Sequence, residues 1–376
     1  MIQNQTTNLS QEFLFPLRQL YFYLTEGCNL KCRHCWLAPK FESDQKKYNK
    51  LDLDLFRKII LEARPLGLSG VKLTGGEPLM HEKVIDLIEF LNSEKLQITI
   101  ETNGILLTPN IAEKLAQTEK PLISISLDGM DAPTHEWVRG VPGCFEAAVN
   151  GARELIRVGL KPQLIMSIMR QTREQMEKFV RFAENLGAGS VKFNVVMPIE
   201  RGLQLNESCE CLSIQELIET GRWAENKLVP DAKIRVIYHH PAAFKPLSGL
   251  FGEKSDGCGC CGIKGILGVL SDGSYALCGI GTSVPEMVFG LAGKDSLEKI
   301  WRENPVLKKI RQDIPSGLEG ICGNCVMSKV CLGSCIAQNF YSTKKLTAPF
   351  WYCTEAEKSG LFPKTRLKEL SKGNNG

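Results

Sequence analysis

Three cysteines in one short segment carry the clearest chemistry in this chain. Gly27-Cys28-Asn29-Leu30-Lys31-Cys32-Arg33-His34-Cys35 spaces its thiols as C-x3-C-x2-C. Three thiolates on one loop can hold three corners of a cubic iron-sulfur cluster, whereas electron-transfer 4Fe-4S clusters ordinarily take four. The iron left open is then available to another molecule, just as catalytic metal sites keep one position free. A structural zinc site is the alternative, but zinc ribbons use paired C-x2-C hooks and no second pair lies nearby. The chain has 15 cysteines: three in Cys28–Cys35, nine from Cys258 to Cys353, and Cys144, Cys209 and Cys211 between them. In a reducing compartment such a distribution points to metal sites rather than disulfides.

The elements that must position these thiols follow from periodicity. Short β-rich runs at Leu20–Thr25, Gly70–Leu73, Gln97–Glu101, Leu122–Leu127, Gln163–Ile168 and Ser190–Val195 alternate with apolar residues at helical spacing, such as Leu55, Ile59, Ile60 and Ala63. Repeated β-then-α units imply a parallel α/β sheet, with the chemistry at the C-terminal strand ends. A helix over Ile214–Lys227 and a strand-like run at Ile234–Tyr238 follow. The segment 241–257 is rich in Pro and Gly and reads as a linker. Expected boundaries are therefore an N-terminal extension (1–18), a barrel (19–240), the linker (241–257), a Cys-rich domain of little regular periodicity (258–353) and a tail (354–376).

Charge and hydropathy exclude several classes. The net charge is +4, from 46 basic and 42 acidic residues that are well mixed, which argues against a nucleic-acid surface. No apolar run approaches the roughly 20 residues that span a bilayer, and residues 1–20 lack a signal-peptide pattern. A cytoplasmic protein without membrane partners is expected.

The C-x3-C-x2-C segment resembles the signature of the radical S-adenosylmethionine (radical SAM) enzymes, with His34 where an aromatic residue usually precedes the last cysteine. The resemblance continues through Thr74-Gly75-Gly76-Glu77-Pro78, Glu101-Thr102-Asn103-Gly104 and Ser124-Ile125-Ser126-Leu127-Asp128-Gly129. It implies a partial (β/α)6 TIM-like barrel in which Cys28, Cys32 and Cys35 hold the catalytic 4Fe-4S cluster. By the same resemblance Gly75, Gly76, Glu77 and Pro78 receive the cofactor's ammonium, Ser126 its ribose and Arg139 its carboxylate, with His34, Thr102 and Asn103 alongside. The implied chemistry is one-electron cleavage of S-adenosylmethionine to a 5'-deoxyadenosyl radical that abstracts hydrogen from a substrate. A flavodoxin or ferredoxin is the implied electron donor.

The later cysteines are similar to the SPASM extension of radical SAM enzymes that mature peptides and proteins. The spacing is Cys261-x11-Gly273-x4-Cys278, then Cys322-x2-Cys325-x5-Cys331-x3-Cys335, then Cys353. The resemblance implies two auxiliary 4Fe-4S clusters. The first takes Cys278 and Cys335 with two of Cys258, Cys260 and Cys261; Cys258 with Cys261 is favoured, since adjacent cysteines rarely ligate one cluster. The second takes Cys322, Cys325, Cys331 and Cys353. A zinc knuckle is the alternative for this region.

The expected activity is a maturase acting on a peptide or protein. About 18 residues precede the first strand, too few for a leader-binding domain, so a precursor peptide would call for a separate leader-peptide-binding protein or recognition by the barrel. A sulfatase-maturing, formylglycine-forming enzyme is an alternative, although Gly279 follows Cys278 where those relatives place an acidic residue. Tetrapyrrole side-chain chemistry is another. A non-catalytic electron carrier is disfavoured because it would not need Glu77, Ser126 and Arg139. Cys209 and Cys211 fall near the expected site mouth, Cys144 reads as a buried small hydrophobe, and His239-His240 reads as a surface or strand-end pair.

Overall fold

The structure, a computed structural model, describes residues 15–42, 47–252 and 261–368. Its centre is seven parallel strands: β1 (Gln19–Tyr23), β2 (Gly70–Thr74), β3 (Gln97–Thr102), β4 (Leu122–Ser126), β5 (Gln163–Ile168), β6 (Ser190–Val195) and β7 (Arg235–Tyr238). They lie side by side in chain order, and helical crossovers join them as parallel neighbours require. The parallel α/β sheet expected from periodicity is therefore present, in the partial-barrel form that the resemblance implied, with strand ends shifted by a residue or two.

The two faces of the sheet differ in chemistry because alternate strand residues point to opposite sides. Leu20, Phe22, Val71, Leu73, Ile98 and Ile100 are buried beneath the helices. Helix α1 (Leu53–Ala63) answers with Phe56, Ile59 and Ile60, and the Phe22 and Phe56 rings stand 4.4 Å apart. Each such apolar side chain contributes about 1.5–3 kcal/mol on burial. Asp52 starts α1 by accepting from the N–H groups of Asp54 and Leu55, donors that would otherwise be orphaned.

The intervening residues, including Tyr21, Lys72, Glu101, Ser126, Lys192 and Asn194, face the other way. Glu101 of β3 interacts electrostatically with Lys192 of β6. Three strand spacings across a flat sheet are about 14 Å, so the sheet curls and brings these residues together inside.

The sheet does not close on itself. On its free side β1 pairs in parallel with β8 (Ile266–Val269), Gln19 opposite Ile266. β9 (Ser274–Ala276) and β10 (Val288–Leu291) extend it with antiparallel pairings. The Cys-rich region thus continues the barrel's own sheet. Ile266-Leu267-Gly268-Val269 is buried throughout, so it lacks the alternation that marks a half-exposed strand. Within the expected linker, the 3-10 turn Ala242–Phe244 and the helix Leu247–Phe251 bury Ala242, Ala243 and Leu250; residues 253–257 lie outside the described residues. Among the described residues no helix is long and apolar enough to cross a membrane.

Candidate active site

The cysteine loop leaves β1 and is tied down on several sides. Lys31 N–H donates to Arg139 O at 3.0 Å and Arg33 N–H to Val138 O at 2.9 Å. These acceptors belong to the last turn of α2 (Ala132–Arg139), where helix carbonyls lack internal partners. Arg201 reaches over to donate to Cys32 O at 3.4 Å and Pro39 O at 3.1 Å. Cys28 and Cys32 are buried, Cys35 is half-buried, and none of them is in a disulfide. Burial, then the neighbouring Cys32 thiol, pushes both Cys28 and Cys35 up. Three such thiols become thiolates together only beside a cation, and an iron cluster supplies that charge.

The Gly75–Pro78 segment lies against the same loop. Gly75 has φ +127°, a conformation open to glycine. Gly76 N–H donates to Thr25 O at 2.8 Å and Glu77 N–H to Gly27 O at 2.9 Å. A Cβ on Gly76 would stand 1.9 Å from Gly27 O, so only glycine permits this approach. Glu77 is buried. Its Oε1 accepts from Thr102 Oγ1 at 2.6 Å and Leu79 N–H at 3.0 Å, and its Oε2 from Asn103 N–H at 2.8 Å. Burial raises the Glu77 carboxyl despite these donors. Asn103 also donates through Nδ2 to Asn29 Oδ1 at 2.7 Å. Glu77, Thr102, Asn103 and Asn29 therefore brace the ends of β2 and β3 to the cysteine loop, while Pro78 opens the buried turn Pro78–Met80.

Beyond β4, Ser126 is half-buried at the strand end, and Asp128 is fully buried. Asp128 Oδ2 lies 2.7 Å from Arg139 Nη2, and its Oδ1 accepts from Ser167 N–H at 2.6 Å. Burial alone would raise the Asp128 carboxyl, but Arg139 and His34 outweigh it and hold it below its usual value. Arg139 also points Nη1 at Cys32 Sγ, 3.5 Å away, and its Nε has no partner among the described residues. His34 Nε2 stands 3.7 Å from Asp128 Oδ2; burial pushes its ring down to about 4, so it is neutral near pH 7. In the sequence Asp128 is only a member of the Ser124–Gly129 segment with no role assigned to it, and neither Asn29 nor Arg201 is singled out. The DG pair after β4 was the signal for Asp128, whereas Arg201 gave none.

Two further thiol sets form in the C-terminal region. Cys261, Cys278 and Cys335 lie within electrostatic reach of one another. Burial, then Cys335, pushes Cys261 up to about 12. Cys258, assigned to this set, and Cys260 lie outside the described residues. Cys322, Cys325, Cys331 and Cys353 together line one chamber with Met327 and Phe362. There Phe350 N–H points at Cys322 Sγ and Met327 N–H at Cys325 Sγ, both at 3.3 Å. Burial, then Cys322, pushes Cys331 up to about 11. Among the described residues no three His, Cys, Asp or Glu side chains close around a single-ion position. Four thiols around a chamber with N–H groups aimed at sulfur fit a multi-iron cage, since hydrogen bonds to sulfur are one of the ways a protein tunes such clusters.

A cavity of about 690 Å3 opens beside Gly75 and Gly76, with Tyr23, Lys40, Asp272 and Thr282 on its walls. The thiols, glycines and charged groups thus gather at the C-terminal ends of the strands, where α/β folds place their chemistry.

Comparison with known proteins agrees with this arrangement. Residues 22–183 match the radical SAM superfamily, and residues 260–326 match SPASM, an iron-sulfur cluster-binding domain. An AdoMet-dependent heme synthase of Methanosarcina barkeri is 28% identical over 345 residues, covering 89% of this chain and 96% of that protein. The mycofactocin maturase MftC of Mycolicibacterium smegmatis is 25% identical over 357 residues, covering 94% and 87%. Streptococcus suis SuiB bound to precursor peptide SuiA shares the fold, with a TM-score of 0.71 at 19% identity over 92% of this chain and 78% of that one. S-adenosylmethionine and iron-sulfur clusters are the cofactors these families share. The chain belongs to the radical SAM superfamily, as an enzyme that carries a SPASM cluster-binding domain.

Proposed function

We propose that this enzyme cleaves S-adenosylmethionine reductively and uses the resulting radical chemistry to modify a peptide or protein after its synthesis. The carrying observation is the division of the described thiols into three separate sets, one of which, Cys28, Cys32 and Cys35, sits at the strand ends beside Glu77 and Arg139. In this reading Cys28, Cys32 and Cys35 hold the catalytic cluster and leave one iron open. Cys261, Cys278 and Cys335, with Cys258, hold the first auxiliary cluster; Cys322, Cys325, Cys331 and Cys353 hold the second. The bound cluster and cofactor supply one-electron cleavage chemistry, with a flavodoxin or ferredoxin as electron source.

The chain's own residues do the positioning. Glu77, Thr102 and Asn103 fix the cysteine loop against β2 and β3. Arg139, held by Asp128, brings a permanent positive charge to Cys32. Gly75 and Gly76 line the cavity beside the strand ends, where the cofactor would lie near Ser126, and the curled sheet encloses the reacting space.

The peptide assignment draws on the maturase MftC and on SuiB with its precursor peptide. A tetrapyrrole substrate is the second reading, favoured by the heme synthase that this chain covers almost end to end. The test is to incubate the reconstituted enzyme with any short peptide encoded beside its gene and follow peptide mass and 5'-deoxyadenosine together. A mass change matched by 5'-deoxyadenosine supports the reading. An unchanged peptide alongside turnover of an iron porphyrin carboxylate would overturn it in favour of the second.

A further inference from the structure

The inner face of the barrel carries a charged cluster outside the Glu77 and Asp128 networks. Lys72 of β2 meets Glu101 of β3, with Nζ 2.6 Å from Oε1. Lys192 of β6 lies within electrostatic reach of both. The sheet register sets Glu101 opposite Ser124, Ser126 opposite Ile165, and Ile165 opposite Lys192. The charged layer therefore sits at and just below the level of Ser126, under the strand ends that carry Gly75 and Asn103.

These residues occupy interior strands of the sheet, yet the Glu101 side chain keeps 35% of its exposure and Lys72 19%. A side chain so placed reaches solvent only through an open lumen. Lys72 and Lys192 both face Glu101 there, and Lys72 also lies within electrostatic reach of Cys261 and Cys278. Among the described residues the Lys192 ammonium has no ion-pair partner within salt-bridge distance, and Lys72 is already taken by Glu101. Two residues further along the same face of β6, Asn194 Oδ1 is buried without a hydrogen-bond partner. The neighbouring Arg139 is already matched by Asp128. An enclosed charge is costly unless paired, and with Lys72 taken by Glu101 the Lys192 ammonium is the charge that a single carboxylate would neutralise.

We infer that Lys72 and Lys192 form a receptor for a carboxylate of the substrate inside the barrel, with Glu101 as the resident counter-ion. The inference rests on the proposed reading in that it takes the substrate to enter the barrel, and it deepens that reading by naming the substrate class. The substrate presents an anionic carboxylate, as an acidic side chain, a chain terminus or a propionate arm does. Burial, only partly opposed by Glu101, pushes the Lys192 amine down, so an arriving carboxylate would also restore its full charge.

The experiment uses the cluster-loaded enzyme with S-adenosylmethionine bound and two probe pairs. One is a random displayed-peptide library selected with its carboxylates free or amidated; the other is an iron porphyrin tetracarboxylate and its tetramethyl ester, followed by absorbance. Wild type should favour the free-acid member of at least one pair. Lys192→Met should weaken that preference by roughly 10- to 100-fold, the range of a hydrogen bond to a charged group, and Lys192→Arg should restore part of it. Glu101→Gln should act in the opposite sense and tighten carboxylate binding, an outcome that misfolding would not give. If only the porphyrin pair shows the Lys192-dependent preference, the receptor stands and the peptide reading fails. If neither pair shows a preference that Lys192 controls, or if Glu101→Gln and Lys192→Met shift binding the same way, the receptor is refuted.

Discussion

Replacing Gly76 by alanine should uncouple the cysteine loop from β2. The added Cβ would lie 1.9 Å from Gly27 O and 2.6 Å from Gly27 C. Restoring ordinary contact requires a shift of about 1.5 Å, and both neighbours are backbone that a rotamer change cannot move. Overpacking of this kind costs about 1–3 kcal/mol. The hydrogen bonds from Gly76 to Thr25 and from Glu77 to Gly27 would stretch with it, at about 1 kcal/mol each. The expected loss is therefore roughly 3–5 kcal/mol, concentrated next to Cys28. Urea unfolding of the metal-free protein measures the energy, and iron content with low-temperature EPR after reconstitution measures the site. Gly265→Ala is the matched control, because its Cβ would meet nothing closer than 3.5 Å; it should leave stability within about 0.5 kcal/mol. Wild-type stability and full catalytic-cluster signal in Gly76→Ala would refute the reasoning.

Other consequences are equally direct. Asp128→Asn leaves the Arg139 guanidinium buried without its counter-charge and should cost about 3–5 kcal/mol in urea unfolding. Because the folded-state Asp128 carboxyl is held below its usual value, the stability it gives is present above about pH 4 and is lost as pH falls through the folded value. The gap between wild type and Asp128→Asn should therefore close in acid; a pH-independent gap contradicts the pairing. Three 4Fe-4S clusters correspond to about 12 irons per chain, and Cys331→Ala should lower iron to about 8 with the catalytic EPR signal intact. Thr102→Val removes the 2.6 Å hydrogen bond to the buried Glu77 and should cost about 1–3 kcal/mol.

The sequence made the order and location of the motifs legible because each was local. Cys28–Cys35, Gly75–Pro78, Thr102–Asn103 and Ser126 each follow a strand whose alternation or apolar run is visible. The sequence did not expose the contacts between those motifs. Asp128 pairs with Arg139 only because α2 turns back over the cysteine loop, and Asn29 meets Asn103 only because β1 and β3 end at the same edge of the sheet, one on each side of β2. Lys72, Glu101 and Lys192 read as polar members of alternating strands, and their meeting depends on the curl of the sheet. The pairing of β1 with β8 spans more than two hundred residues and rests on four buried residues with no alternation. His240, read as a surface or strand-end residue, lies just after β7 but is buried, with Nε2 2.8 Å from Tyr352 Oη. Cys144 is buried, as its reading as a small hydrophobe expected, and packs beside Cys28 and Cys32. Cys209 is exposed, and Cys211 packs beside Val138 and Met169.

The most direct test of the central claim is chromatographic detection of 5'-deoxyadenosine. Anaerobically reconstituted wild type and a variant with Cys28, Cys32 and Cys35 all changed to alanine are reduced with dithionite in the presence of S-adenosylmethionine. Wild type should yield 5'-deoxyadenosine and the variant none, even though the variant still carries the iron held by Cys261–Cys353. Equal yields from the two proteins, or none from iron-loaded wild type, would contradict the assignment of Cys28, Cys32 and Cys35 as the radical-generating site.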